Sequence, residues 1–173
     1  MGRKLRMGAA MACLLALGSV TVAYATSSRD NGSSDADDRN VVELDFDARV
    51  VGVTEDNRPP AVPSRGDRYV ANIDLFRAGT KVGEEDALCT ITRREANGAT
   101  KLHCTGVQTL LGGQVTTEGV INYGPGEYEA GVKADPYSTA IKGGTGKYRT
   151  AHGDTRIRDR VAGEFQLTLR IIR

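Results

Sequence analysis

A pair of cysteines, two lone histidines, one tyrosine ahead of a glycine-rich turn and two aspartates near the start of a strand are the side chains with which this sequence could do chemistry. His103 and His152 are too few and too far apart for a zinc site built on several histidines, so each reads as a structural or solvent-facing residue. No metal and no cofactor is expected. The chain contains no Gly-x-Ser-x-Gly elbow, which leaves an α/β-hydrolase reading without a nucleophile. Gly143-Gly144-Thr145-Gly146-Lys147 looks superficially like a phosphate loop. It lacks the glycine five residues before Gly146, and Tyr148 stands where a metal-binding Ser or Thr belongs, so it is not a nucleotide site. Tyr137 is the candidate catalytic residue: its phenol can donate a hydrogen bond to a developing oxyanion. The competing reading is that it packs one end of the fold beside Pro136.

The backbone that must hold these groups has a period of two. Val42, Leu44, Phe46, Ala48 and Val50 share one face of a run whose other face carries Glu43, Asp45, Asp47 and Arg49. That alternation marks a half-buried strand. In this register Asp45 and Asp47 point outward, and only a bulge would turn one of them in. Further runs are Tyr69 to Phe76, one ending in Leu88 to Arg93, Lys101 to Leu110, Val115 to Tyr123, Tyr128 to Val132, Tyr137 to Lys142, Gly153 to Arg158 and Phe165 to Ile171. No window of helical length repeats its apolar residues at three and four. Eight or nine short strands with Gly-rich turns predict an all-β fold, an antiparallel barrel or sandwich, and barrel closure would remove the exposed edges. Small residues on inward positions (Ala48, Ala71, Gly106, Gly119) would leave room inside it. Arg156, Arg158 and Arg160 fall on one strand face and read as a solvated outer wall.

The cysteines can be placed by register. Glu95-Ala96-Asn97-Gly98 is a hairpin signal. With the turn there, opposed residues have numbers that total 193, so Cys89 faces Cys104 and Ile91 faces Leu102. Directly opposed antiparallel positions bring Cα atoms within disulfide range. A bridge between Cys89 and Cys104, turned toward the core, is therefore expected ahead of a reactive thiol.

Residues 1–25 read as an export signal: Arg3, Lys4 and Arg6, then an apolar or small run from Met7 to Val22, then Ala23-Tyr24-Ala25. A retained anchor is the competing reading, and a lipoprotein at Cys13 fits less well because most of the apolar stretch follows that residue. Cleavage after Ala25 predicts a secreted, extracellular chain with no membrane span. It also turns 23 basic and 22 acidic side chains into 20 and 22, a net charge of −2. That balance lacks the basic excess of a nucleic-acid binder. Residues 26–40 carry no large apolar side chain and read as a polar linker. Asn31-Gly32-Ser33 matches a glycosylation acceptor by a short motif. The acids Asp35, Asp37 and Asp38 lack the spacing of a calcium loop. Residues 41–173 then form a single barrel domain. The stretch from Thr54 to Asp67, with Pro59, Pro60 and Pro63, reads either as a lid at the barrel mouth or as a surface excursion.

Ala140 to Gly153, with Gly143-Gly144-Thr145-Gly146, then Tyr148, then Gly153, resembles the stretch shared by allene oxide cyclases and dirigent proteins. Upstream, Asp74-Leu75-Phe76, Lys81-Val82-Gly83 and Leu88-Cys89-Thr90 resemble the cyclase pattern in the same order. The resemblance implies an eight-stranded antiparallel up-and-down barrel, calycin-like, around an apolar cavity. It implies that Cys89 and Tyr137 lie on the cavity wall, as their counterparts do in the plant cyclases. The plant catalytic set is not reproduced: the first strand reads Asp45-Phe46-Asp47-Ala48-Arg49-Val50, with no Glu-x-Asn, and Pro63-Ser64 reverses a Ser-Pro. These departures argue against the plant reaction. Secretion suits the dirigent branch.

Three function classes follow. One is a cyclase or isomerase that directs stereochemistry on a lipid-like, polyketide-like or phenolic molecule, positioning supplying most of the rate. Another is a lipocalin-like binder of apolar small molecules, and the third is a structural barrel module. The first is preferred, with Phe46, Ala48, Leu75, Tyr137, Phe165 and Leu167 as the expected binding wall and an apolar small molecule as the partner. Self-association into a homo-oligomer is left open. An interior packed solid by Phe46, Leu75, Phe165 and Leu167 would favour the structural module; a cavity with paired polar groups would favour the enzyme.

Overall fold

The computed structural model describes residues 40–56 and 63–172. Residues 1–25, read above as an export signal, residues 26–39 with Asn31 and the three clustered acids, and Pro59 and Pro60 lie outside the described residues.

The chain forms the eight-stranded antiparallel barrel that its alternation and its resemblance imply. The strands are β1 (Val41–Asp56), β2 (Arg68–Arg77), β3 (Thr80–Arg94), β4 (Thr100–Leu110), β5 (Gly113–Tyr123), β6 (Tyr137–Gly144), β7 (His152–Val161) and β8 (Glu164–Ile172). Each pairs with the next in sequence, and β8 closes on β1. At that seam Phe46 opposes Leu167 and Ala48 opposes Phe165. Phe46 and Ala48 are buried while Asp45, Asp47 and Arg49, which alternate with them, are exposed, so the apolar parity faces inward along this part of β1.

The β3–β4 hairpin has the register that places Cys89 opposite Cys104 and Ile91 opposite Leu102, and a bulge absorbs one residue between Ile91 and Arg93. The Cys89–Cys104 disulfide is formed, with a Cα–Cα distance of 4.1 Å, and both residues are buried.

Two local expectations are corrected. The first strand does not stop near Val50 but continues to Asp56, because a bulge between Val50 and Gly52 breaks the parity without breaking the pairing to β2. That bulge lies beyond Asp45 and Asp47, which stay outside: Thr168 Oγ1 donates to Asp45 at 2.6 Å, and Arg160 pairs with Asp47 at 2.9 Å. Tyr128 to Val132 is not a strand. It begins in a single helical turn, α1 (Glu127–Ala130), flanked by Gly126 and Gly131 in the left-handed region. The Glu127 carboxylate accepts the N–H of Gly124 at 2.6 Å and of Ala134 at 2.8 Å, so one side chain pins both ends of the loop.

Up-and-down connectivity sends the β2–β3, β4–β5 and β6–β7 connections to one end of the barrel and the others to the opposite end. The first end is plugged by Leu110, Val115, Ile141, Tyr148, Leu169 and Ile171, all at most 9% exposed. The glycine-rich segment closes that plug. Thr145 N–H donates to the Gln114 carbonyl and Lys147 N–H to the Gly112 carbonyl, each at 2.9 Å. Gly146 has φ +57°, and a Cβ there would lie 2.2 Å from the Gly112 oxygen, so the two turns meet only through glycine. What resembles a phosphate loop is a backbone clasp that seats Tyr148.

A carboxyl and four tyrosines around the barrel cavity

Above the plug, small inward residues (Ala71, Ala87, Gly106) leave a cavity of about 170 Å³ whose lining reaches Gly131, Val161 and Gly163 at the far end. An apolar cavity of about 150 Å³ can take up benzene, so the space admits a compact ligand. Ala48 belongs to the packed cluster instead, and the space beside Gly119 is taken by the Thr139 methyl.

Glu85 lies on the inward face of β3, opposite Ile73 of β2 and Gln108 of β4. The Gln108 side chain is 1% exposed, and its Nε2 donates to Thr117 Oγ1 at 3.2 Å and to the Glu85 carboxylate. Gly106 makes this cluster fit. A Cβ there would stand 2.5 Å from Glu85 Oε1, 2.9 Å from Thr117 Oγ1 and 3.1 Å from Gln108 Nε2. Three polar side chains thus share the volume that any other residue would fill. Burial among apolar neighbours pushes the Glu85 carboxyl up to about 7; ionised Asp86 adds to this, and the Gln108 hydrogen bond opposes it. With Nε2 facing Glu85 and Thr117, Gln108 Oε1 is left buried with no hydrogen-bond partner among the described residues.

Tyr69, Tyr123 and Tyr137 also line the cavity, and Tyr128 meets Tyr123 edge-on with ring centroids 5.8 Å apart. Burial raises the Tyr123 phenol to about 12. It also raises Tyr69 and Tyr137 well above the ordinary tyrosine value, helped by neighbouring phenols and carboxylates. These groups therefore remain protonated hydrogen-bond donors at neutral pH. Asp159 faces the same space. Burial raises its carboxyl, and a 2.7 Å hydrogen bond from the Lys133 N–H opposes the shift. Thr139 and Thr155 satisfy one another, with hydroxyls 2.6 Å apart. The Cys89–Cys104 disulfide completes one wall and, being oxidised, offers no thiolate.

Of the expected binding wall, Tyr137, Phe165 and Leu167 line the cavity. Phe46, Ala48 and Leu75 do not; they pack in the core cluster with Leu169 and Ile171. His103 sits outside, 2.9 Å from Glu118, and His152 is exposed. Glu85 and Gln108 were not singled out from the sequence, yet a signal existed. Glu85 shares its strand parity with Ala87, Cys89 and Ile91, so a carboxylate stands on an otherwise apolar face.

Residues 47–168 match the sequence profile of the Allene oxide cyclase barrel like domain. No curated protein sequence matches the chain. Among solved structures, a pyocyanin demethylase is similar with a TM-score of 0.64 at 18% identity, over 75% of this chain and 99% of that one. The Diels Alderase AbmU from Streptomyces koyangensis is similar with a TM-score of 0.60 at 18% identity, over 79% and 71%. AbnU, an exo-specific intermolecular Diels-Alderase, gives 0.56 at 15% identity, over 76% and 97%. At such identities the likeness is one of fold.

Proposed function

Because the chain belongs to the allene oxide cyclase barrel like family, we propose that its cavity is an active site for cyclisation or isomerisation of a compact, unsaturated small molecule. The observation that carries this reading is Glu85: a carboxyl set inside a largely apolar cavity, titrating near 7, in a cradle kept open by Gly106. A base with a pKa near the working pH combines a useful ionised fraction with real proton affinity. Its carboxylate takes a proton from carbon beside a carbonyl, and the protonated Tyr137 phenol donates a hydrogen bond to the enolate oxygen that forms. The low-dielectric walls strengthen both contacts, and the asymmetric wall presents one face of the ligand, which is how such a cavity directs stereochemistry. The similar structures, a pyocyanin demethylase and two Diels-Alderases, support a small-molecule reading of the same kind. Export after Ala25 is proposed with it, and the Cys89–Cys104 bridge supports an oxidising compartment.

The experiment uses a compact ketone with acidic α-protons. β-Tetralone is incubated with the protein in D2O, and loss of its α-proton signals is followed by 1H NMR. Exchange above the buffer rate is expected, rising with pH through about 7 as Glu85 ionises and flat above that. Glu85→Gln is expected to return it to the buffer rate. Tyr137→Phe should slow it on the order of a hundredfold while the fold is kept. Exchange at the buffer rate with the parent protein would remove the proton-transfer reading.

A further inference from the structure

The charge of the cavity restricts what it can hold. Its lining includes the carboxyls of Glu85, Asp159 and Glu164, and among the described lining residues there is no Lys, Arg or His. Of these carboxyls Glu164 is already paired with Arg49 at 3.3 Å, while Arg94 pairs with Glu129 and lies 5.6 Å from the Tyr128 ring centre, and Arg160 pairs with Asp47 on the outer wall. Lys133 stands by Asp159 and moderates both that carboxyl and Glu127. A carboxylate or phosphate ligand beside Glu85 would meet like charge, with no cation among the described lining residues to receive it. Tyrosine faces at the rim attract cations through their ring quadrupoles.

A second observation is independent of the carboxyls. Gln108 lines the cavity, and its Oε1 is buried with no hydrogen-bond partner among the described residues. A buried acceptor without a donor is costly to maintain, and a ligand donor would relieve it. Glu85 beside it is an acceptor too whenever it is ionised. The inner part of the cavity thus asks for hydrogen-bond donors, and the whole of it favours positive charge.

We propose that the ligand of this site is a flat, compact molecule carrying a protonated nitrogen, whose N–H groups donate to Glu85 and, once the Gln108 amide turns toward it, to Oε1, while its body lies against the tyrosines. This rests on the cavity being a ligand site, as in the proposed function, and adds the ligand's charge. Affinity for such a cation depends on pH through Glu85. The groups facing that carboxyl are Gln108 from β4 and Ile73 from β2, with Asp86 beside it and Tyr137 across the cavity. Asp159, also on the lining, has its carboxyl raised by burial and acts in the same direction, so affinity rises with pH as these carboxyls ionise and levels off above about 7, where Glu85 is ionised.

The test is calorimetric titration at pH 8 with four probes of one size: 4-aminoquinoline (a cation with N–H donors), N-methylquinolinium (a cation without them), neutral quinoline, and quinoline-4-carboxylate. The aminoquinoline is expected to bind tightest and the carboxylate weakest, at least about tenfold apart. Glu85→Gln is expected to narrow that gap, and lowering the pH below 7 should weaken the aminoquinoline by up to about tenfold per unit. Equal or tighter binding of the carboxylate, or an unchanged gap in Glu85→Gln, would overturn the inference. Quinoline binding as tightly as both cations would overturn the charge preference and leave the ligand site standing. Silence from all four probes on a folded protein would overturn the site as well.

Discussion

At pH 8 the Glu85→Gln protein is expected to be more stable than the parent chain by about 3 kcal/mol. The carboxyl titrates near 7 in the folded barrel and near 4.5 when exposed, because the barrel favours its neutral form. Between those two pH values the folded chain holds a proton that the unfolded chain has released. The parent therefore loses stability as pH rises from 4.5 to 7, and the loss is complete above 7. Glutamine has nearly the same shape, keeps a carbonyl toward Gln108 and never ionises. Urea denaturation at pH 5 and pH 8 measures the effect: the two proteins should lie close together at the lower pH and separate at the higher. The same difference at both pH values would mean that Glu85 is not held near neutrality. A side chain that weakens the fold when charged, yet stands in the cavity, is the pattern expected of a group kept for function.

The second large effect concerns the bridge across β3 and β4. Cys89 and Cys104 close a loop of 15 residues, worth roughly 3 kcal/mol by the restriction it places on the unfolded chain. Replacing both by alanine is expected to cost about that much in urea denaturation, with a small further loss because both positions are buried. The exported protein should begin at Thr26, and intact mass before and after reduction and alkylation reads both points. Two thiols that alkylate without reduction would dismiss the bridge, and a chain retaining Met1 would dismiss cleavage.

The barrel was legible because strand parity is a strong signal when one face is buried. A slip of one residue would turn every apolar side chain outward. The hairpin at Glu95 to Gly98 was specific enough to pair two cysteines. Parity fails where a bulge intervenes, and the extension of β1 from Val51 to Asp56 was missed for that reason. Tyr128, Ala130 and Val132 alternate in sequence, but the left-handed glycines on either side and the grip of Glu127 on Gly124 and Ala134 favour a helical turn. The cavity was harder to read. Phe46 and Leu75 are as inward-facing as Phe165 and Leu167, and alternation does not report height along the barrel axis. That height decides which residues pack the plug and which face open space. Glu85 was passed over because a charged residue in a strand is normally placed in water. Its neighbours at the same parity were the contrary signal.

The proposed chemistry turns on one carboxyl. Titrating Glu85 directly, by its side-chain carboxyl 13C shift between pH 3 and pH 10, tests this most directly. A midpoint near 7 is predicted, from burial beside Gln108, Thr117 and Gly106. A midpoint at the exposed value of about 4.5 would show a solvated carboxylate and contradict an active site built around it.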